Sequence, residues 1–242
     1  MPGEITVLQP TCRNALLAAL PDEERQYFIS LCKLVDMRFM QVLVEPGDRI
    51  CQVCFPIDGY ISLVAPVDHN ANIEVALVGN EGMLGISLIL GVEVAAQRAL
   101  VQGPGAALCM DSTLFVHEYE RSQAMQTILK RYLYVLMGQL AQTAACTRFH
   151  VVEERLARWL LMTRDRAHTD EFHITHELMA YILGVRRVGV TMAASSLQHR
   201  NLISYRRGKI KIIDHPGLEN ASCSCYAADR EAYEKMMNKN GI

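Results

Sequence analysis

The sequence predicts an α+β chain built from a strand-rich unit over residues 1–115, a long helix over 116–149, and a C-terminal unit over 150–242 in which two short helices lead into a hairpin. Three observations predict it. Between Met37 and Thr113, short apolar segments are punctuated by turn residues at spacings of roughly ten, the pattern of an all-β sandwich or barrel. From Leu114 to Phe149 there is no proline and a single glycine. After Thr175, a helix, a glycine and a second helix precede two short strands.

The elements follow in order. Residues 11–34 read as helical, with Asp22 after Pro21 and Phe28, Leu31, Cys32 and Leu34 at near-helical spacing. The turns of the β region are Glu45-Pro46-Gly47-Asp48, Pro56-Ile57-Asp58-Gly59, Asp68-His69-Asn70, Gly79-Asn80-Glu81-Gly82 and Gly103-Pro104-Gly105. Tyr60 to Val64 and Ile73 to Leu77 alternate as half-buried antiparallel strands do. In the long helix, Met125, Leu129, Tyr132, Leu136, Gln139 and Thr143 step by threes and fours, a heptad-like stripe expected to face a second subunit. Residues 152–166 form a further helix with Leu156, Trp159, Leu160 and Thr163 on one face, and Ala167 to Glu171 reads as a loop.

Composition narrows the class. Of 242 residues, 50% are hydrophobic and 21% charged, the balance of a globular protein with substantial cores. The N-terminus lacks the basic and apolar regions of a signal peptide, and the longest apolar run, Gly82 to Val92, is too short to span a bilayer, so a cytoplasmic protein is expected. The eight cysteines are irregularly spaced, which argues against a disulfide framework. The net charge of −2 hides an asymmetry: residues 1–149 carry 10 Lys/Arg against 15 Asp/Glu, and residues 150–242 carry 14 against 11. No acidic residue lies between Glu177 and Asp214, where Arg186, Arg187, Arg200, Arg206, Arg207, Lys209 and Lys211 fall. That stretch points to a polyanionic partner.

Thr175 can cap a first helix and Gly184 can end it in the left-handed conformation. A second helix is expected from Arg186 to Arg200. Ala180 is small where the helices cross, Val190 meets the first helix, and Met179, Leu183, Val185 and Leu197 supply apolar contacts. This is the spacing of a helix-turn-helix, whose second helix lies in the DNA major groove with its N-terminal residues at base edges. Leu202 to Tyr205 and Ile210 to Ile213 read as strands around the basic turn Arg206-Arg207-Gly208-Lys209, a wing whose cations would sit beside phosphates. A basic wing favours DNA over a protein-interaction surface.

With these elements in place, the chain resembles the Crp/Fnr superfamily of bacterial regulators over about residues 20–214, most specifically in Gly184 to Val190 and Leu197 to Ile203. The resemblance implies a β-roll sensor domain of the cyclic-nucleotide-binding type, a jelly roll, over 1–115, a dimerisation helix over 116–149, and a winged helix-turn-helix DNA-binding domain with a C-terminal tail over 150–242. It implies a homodimer on two-fold symmetric double-stranded DNA, acting with RNA polymerase. Arg187 aligns with the family arginine that reads guanine through N7 and O6. Val188 stands where many members carry a glutamate, and Met192 where an arginine is common, so a different half-site is implied. Arg186, Gly189, Thr191, Ser195 and His199 are the further candidate DNA contacts.

In the sensor domain the resemblance places the ligand turn at Gly82-Met83-Leu84-Gly85, with Ile86 in place of the expected carboxylate. Gly82, Gly85 and Arg98 are the candidate effector residues. Arg98 is displaced and lacks a following Ser or Thr, so cyclic AMP is not expected to bind by the usual chemistry, and no cofactor or metal is assigned. An alternative is a redox- or metal-responsive regulator using Cys51 and Cys54, and Cys223-x-Cys225 offers similar chemistry. A closed zinc or iron–sulfur site needs four ligands, whereas the iron–sulfur members cluster cysteines near the N-terminus, where only Cys12 lies. Core thiols are the default expectation. An enzyme is not expected: only His69 among the histidines falls within residues 37–113, and Glu74, Glu81 and Glu93 make no catalytic constellation.

Overall fold

A computed structural model describes residues 13–68 and 71–237; the expectations placed on Cys12, His69 and Asn70 lie outside them. Helix α1 (Ala15–Ala18) is capped by buried Asn14, whose carbonyl oxygen accepts from the amides of Leu16 and Leu17 while its Nδ2 donates to the carbonyls of Pro56 and Gly82. That one side chain thus pins the chain start to two turns of the roll. Helix α2 (Asp22–Leu31) starts after Pro21 with three acidic residues at its positive end, and Phe28 is its buried anchor.

The roll consists of two antiparallel sheets. Strands β1 (Lys33–Met37), β7 (Gly105–Asp111) and β3 (Gln52–Pro56) form one in the order β1-β7-β3. Strands β2 (Val42–Val44), β6 (Arg98–Gly103), β4 (Tyr60–Asp68) and β5 (Ala71–Val78) form the other, in the order β2-β6-β4-β5. Among the described residues, the predicted turns at 45–48, 56–59 and 103–105 lie between successive strands, and the turn at 79–82 follows β5. At Gly59 (φ +76°) the backbone passes so close to the carbonyls of Gly103 and Pro104 that a Cβ would collide with them.

The helical stretch breaks at Ser122 into α3 (Ser112–Arg121) and α4 (Gln123–Phe149), with the Ser122 hydroxyl accepting from the amide of Met125. The expected dimer stripe is corrected here. Met125, Leu129 and Tyr132 are buried in the core of their own roll beside Phe55 and Phe115. Leu136 is buried too, Gln139 faces the C-terminal helices, and Thr143 is within reach of Arg158. The stripe marks the inner face of α4 because the roll's apolar surface is there to receive it. The opposite face is uncovered: Tyr134 and Met137 are 64% and 60% exposed, and Gly138, Ala141, Ala144 and Ala145 lie open beside them.

Helix α5 (Val152–Ala167) buries Leu156, Trp159, Leu160 and Thr163. Strand β8 (Glu171–His173) lies partly in the expected loop; it is held by pairing with a strand far along the chain. Helices α6 (His176–Leu183) and α7 (Arg187–His199), strands β9 (Ile203–Arg206) and β10 (Lys209–Ile212), and a β8-β10-β9 sheet complete the bihelical unit and hairpin. Beyond Asp214, which caps α8 (His215–Ala221), a last helix α9 (Cys225–Met237) lies along α4. It is fastened by a buried Arg158–Asp229 ion pair of 2.6 Å, and by the Tyr233 hydroxyl, which donates to the carbonyl of Glu81.

Besides the Tyr233–Glu81 bond, further polar contacts join the roll to the C-terminal unit. Trp159 Nε1 donates to Glu74 at 2.8 Å, Arg166 pairs with Glu81 at 2.7 Å, and Arg98 reaches the Tyr181 hydroxyl at 3.4 Å. Among the described residues no helix is long and apolar enough to cross a membrane.

Candidate nucleic-acid interface and the cavity of the roll

The local sequence builds the interface directly. The Thr175 hydroxyl accepts from the amide of Leu178, and Gly184 ends α6 at φ +63°, where a β-carbon would be strained. Ala180, Val190 and Leu197 are buried between the helices. Arg186 is the residue before α7 and has no side-chain capping bond; Arg187 is the first residue of the helix, and both are exposed. Val188, Thr191, Met192, Ser195 and His199 recur at helical spacing on the exposed side of α7, and Gly189 lies half-buried at its edge.

The apolar share of this face follows from the two replacements noted in the sequence. Val188 is 63% and Met192 69% exposed, on a helix whose other apolar residues are buried. Thr191 is less free than the sequence suggests. Its hydroxyl donates to the carbonyl of Arg187 and lies 3.0 Å from His176 Nδ1. With that proton committed, Nδ1 is the donor to Thr191. His176 stacks on Tyr205 at 4.4 Å, and burial together with the Arg187 charge lowers its pKa, keeping the ring neutral near pH 7. His176 and Tyr205, which sequence reasoning missed, therefore brace the start of α7 against the hairpin. Their signal was weak: both are ordinary residues whose stacking depends on a contact across the domain.

At the hairpin tip, Arg207 (φ +52°) and Gly208 (φ +78°) are both left-handed, the requirement of a type I′ turn. Arginine in that conformation is uncommon, and it throws the Arg207 side chain into solvent beside Arg206. Lys209 pairs with Glu171 at 3.3 Å on the neighbouring strand. Exposed helix start and basic turn thus lie on one domain with a buried core behind them.

This segment matches the family of the Crp-like helix-turn-helix domain over residues 154–221. The rest of the chain has the matching architecture. A Crp/Fnr family regulator from Eubacterium rectale, described as putative, is 16% identical, with 85% of this chain and 96% of that one covered and a TM-score of 0.65. FixK2 from Bradyrhizobium japonicum is 12% identical over 79% of this chain and 98% of its own, with a TM-score of 0.67. The c-di-GMP responsive regulator CLP from Xanthomonas campestris is 13% identical over 79% and 99%, with a TM-score of 0.65. Comparison with curated proteins finds no match. The fold is therefore that of the Crp/Fnr regulators, with the segment that matches the Crp-like domain following α4 and beginning within α5.

Within the roll a cavity of about 680 Å³ is lined mainly by aliphatic side chains, among them Leu63, Leu84, Ile86 and, from α4, Leu136 and Leu140. Gly85 (φ +93°) shapes its wall. The other two expected effector residues lie elsewhere. Gly82 is not among the lining residues and backs onto the Tyr132 hydroxyl, where a Cβ would collide. Arg98 pairs with Glu45 at 2.7 Å and points to the Crp-like domain, an interdomain contact rather than a ligand clamp. Lys33 and Arg49 are the cations at the cavity, and Arg49 is already paired with Glu93.

The cysteines also sort differently from expectation. Cys51 is exposed, whereas Cys54 is buried and joined to Cys109 directly across the β3–β7 pair, so Cys51 and Cys54 do not act together. Cys146, Cys223 and Cys225 come together as a buried cluster of their own.

Proposed function

We infer that this Crp/Fnr-type DNA-binding regulator works as a homodimer on a two-fold symmetric site, with the exposed face of α7 reading bases in the major groove. The observation that carries this is the pairing of an exposed arginine-led helix start with a basic left-handed hairpin tip on one Crp-like domain. Arg187 would read guanine. Val188 and Met192 suit the methyl group of thymine, since apolar side chains favour that contact. RNA polymerase is the expected partner on the promoter. The dimer seam is the uncovered face of α4, through Tyr134, Met137, Gly138, Ala141 and Ala145. The mainly aliphatic lining, with Arg98 turned away, Arg49 already paired and Lys33 exposed at the edge, supports a largely apolar ligand in place of a cyclic nucleotide, and Leu136 and Leu140 would carry its presence to the helix.

Selection from a random duplex library tests the reading: an enriched palindrome supports it, and no sequence preference at any salt refutes it. Arg187→Ala should weaken binding to the selected site by about 1–3 kcal/mol and relax the preference at one base pair per half-site. Unchanged selectivity would place base reading elsewhere. Lys209→Ala should weaken binding to all sequences and reduce the salt slope by about 1. Because it also bares Glu171 beside the DNA backbone, the loss should exceed that of Arg206→Ala, whose side chain has no acidic partner among the described residues. A sequence-selective loss would show that the hairpin reads bases.

A further inference from the structure

Four metal-ligating side chains meet where α4 ends and the chain enters the Crp-like domain. Cys146 and His150 are one helical turn apart at the end of α4, so both project from the same face. Cys223 lies in the short link between α8 and α9, and Cys225 is the first residue of α9. Their four donor atoms all lie within 4.8 Å of one another. Cys146 Sγ is 3.6 Å from Cys223 Sγ, and Cys225 Sγ is 3.5 Å from His150 Nδ1.

We propose that Cys146, His150, Cys223 and Cys225 form a closed tetrahedral zinc site that clamps α9 and the α8–α9 link to the end of α4. The distances support one ion. Zinc bonds of about 2.3 Å to sulfur and about 2.0–2.1 Å to nitrogen, at tetrahedral angles, separate two sulfurs by about 3.8 Å and a sulfur from a nitrogen by about 3.6 Å. The two close pairs already have nearly those separations. Three sulfurs and one imidazole nitrogen are a donor set of structural zinc, and a span under 5 Å holds one ion without room for a polynuclear cluster.

The surroundings fit an anionic centre. Zinc with three thiolates and one neutral imidazole carries a net charge of −1, and the charge of Arg158 acts on both Cys146 and Cys223. Gln142 Nε2 lies 2.9 Å from Cys225 Sγ, positioned to donate to a bound thiolate. On binding, each cysteine releases its Sγ proton to solvent and His150 binds through unprotonated Nδ1; no electron is transferred. Incidental core thiols need no histidine among them and no amide donor aimed at sulfur.

The test uses the full chain, purified under reducing conditions, supplied with zinc and desalted. Metal is measured by plasma mass spectrometry, independently of DNA binding. About one zinc per chain is expected, falling at least tenfold in Cys146→Ser and Cys223→Ser and unchanged in Cys51→Ser. Cobalt(II) added to the metal-free wild type should give thiolate-to-cobalt charge-transfer bands and the visible bands of a tetrahedral ion. If the serine variants fail to fold, His150→Cys keeps the question open to measurement: it should retain the ion and shift the cobalt bands towards those of four thiolates. Zinc well below one per chain with no cobalt bands would overturn the site. So would iron in place of zinc, or zinc content equal in wild type and a folded Cys146→Ser.

Discussion

Replacing Glu74 by glutamine should stabilise the protein by about 3 kcal/mol above pH 7 and by little near pH 4. Glu74 lies on β5 at the junction with the Crp-like domain, 9% exposed. Burial pushes its carboxyl up from an ordinary 4.5 to about 7, against the opposing hydrogen bonds of Ser62 and Trp159 and the charges of Arg166 and Arg158. The folded state therefore holds a proton that the unfolded state has released between about pH 4.5 and 7. Over that window the unfolded chain binds fewer protons, so stability falls as pH rises, and the whole cost is present above pH 7. The interval from 4.5 to about 7 corresponds to about 3 kcal/mol. Glutamine keeps an oxygen for Trp159 Nε1 and an amide donor for Ser62, but never ionises. Trp159 is the single tryptophan, so its fluorescence reports unfolding at this contact. Urea titrations at pH 5 and pH 8 decide the matter: the difference between variant and wild type should grow by most of that amount, and a difference constant with pH would place the ionisation elsewhere.

The sequence was informative where local rules decide structure. Thr175, Gly184 and the Ala180–Val190 spacing specify a helix, a turn and a crossing without outside help, and α6, α7 and the hairpin lie within a residue or two of expectation. The roll's strands were legible because its turns need Gly, Pro, Asn and Asp. Contacts set by the rest of the fold were not. A stripe of threes and fours on α4 fits a core as well as a partner, and only the placement of the roll decides between them. Arg98 lies near its expected place in sequence, but its side chain crosses to Tyr181 instead of entering the cavity. The Cys146–Cys223 approach closes 77 residues of chain, a separation no spacing rule reaches.

Ala141→Glu should convert the proposed dimer largely to monomer, raising its dissociation constant at least a hundredfold, which is about 3 kcal/mol or more. Ala141 lies on the uncovered face of α4, between Met137 and Ala145, and small residues there let a second helix approach closely. In a two-fold interface each residue near the axis faces its own copy, so one substitution places two carboxylates together and desolvates both. The change leaves the protomer's own core untouched, because that face contacts nothing in the same chain at Gly138, where even an added Cβ finds open space. Leu129→Ala makes the opposite prediction. Leu129 is 1% exposed in the core of its own roll, so its truncation should cost about 2–5 kcal/mol of folding stability. Sedimentation equilibrium read beside thermal unfolding separates the two faces. Monomer with unchanged stability for Ala141→Glu, and a destabilised protein for Leu129→Ala, would fix the outer face as the seam. An Ala141→Glu protein that remains dimeric would place the partner elsewhere. Because half-sites are read in pairs, the monomer should also lose the palindromic preference while keeping weak, salt-sensitive binding through Arg187 and the hairpin cations.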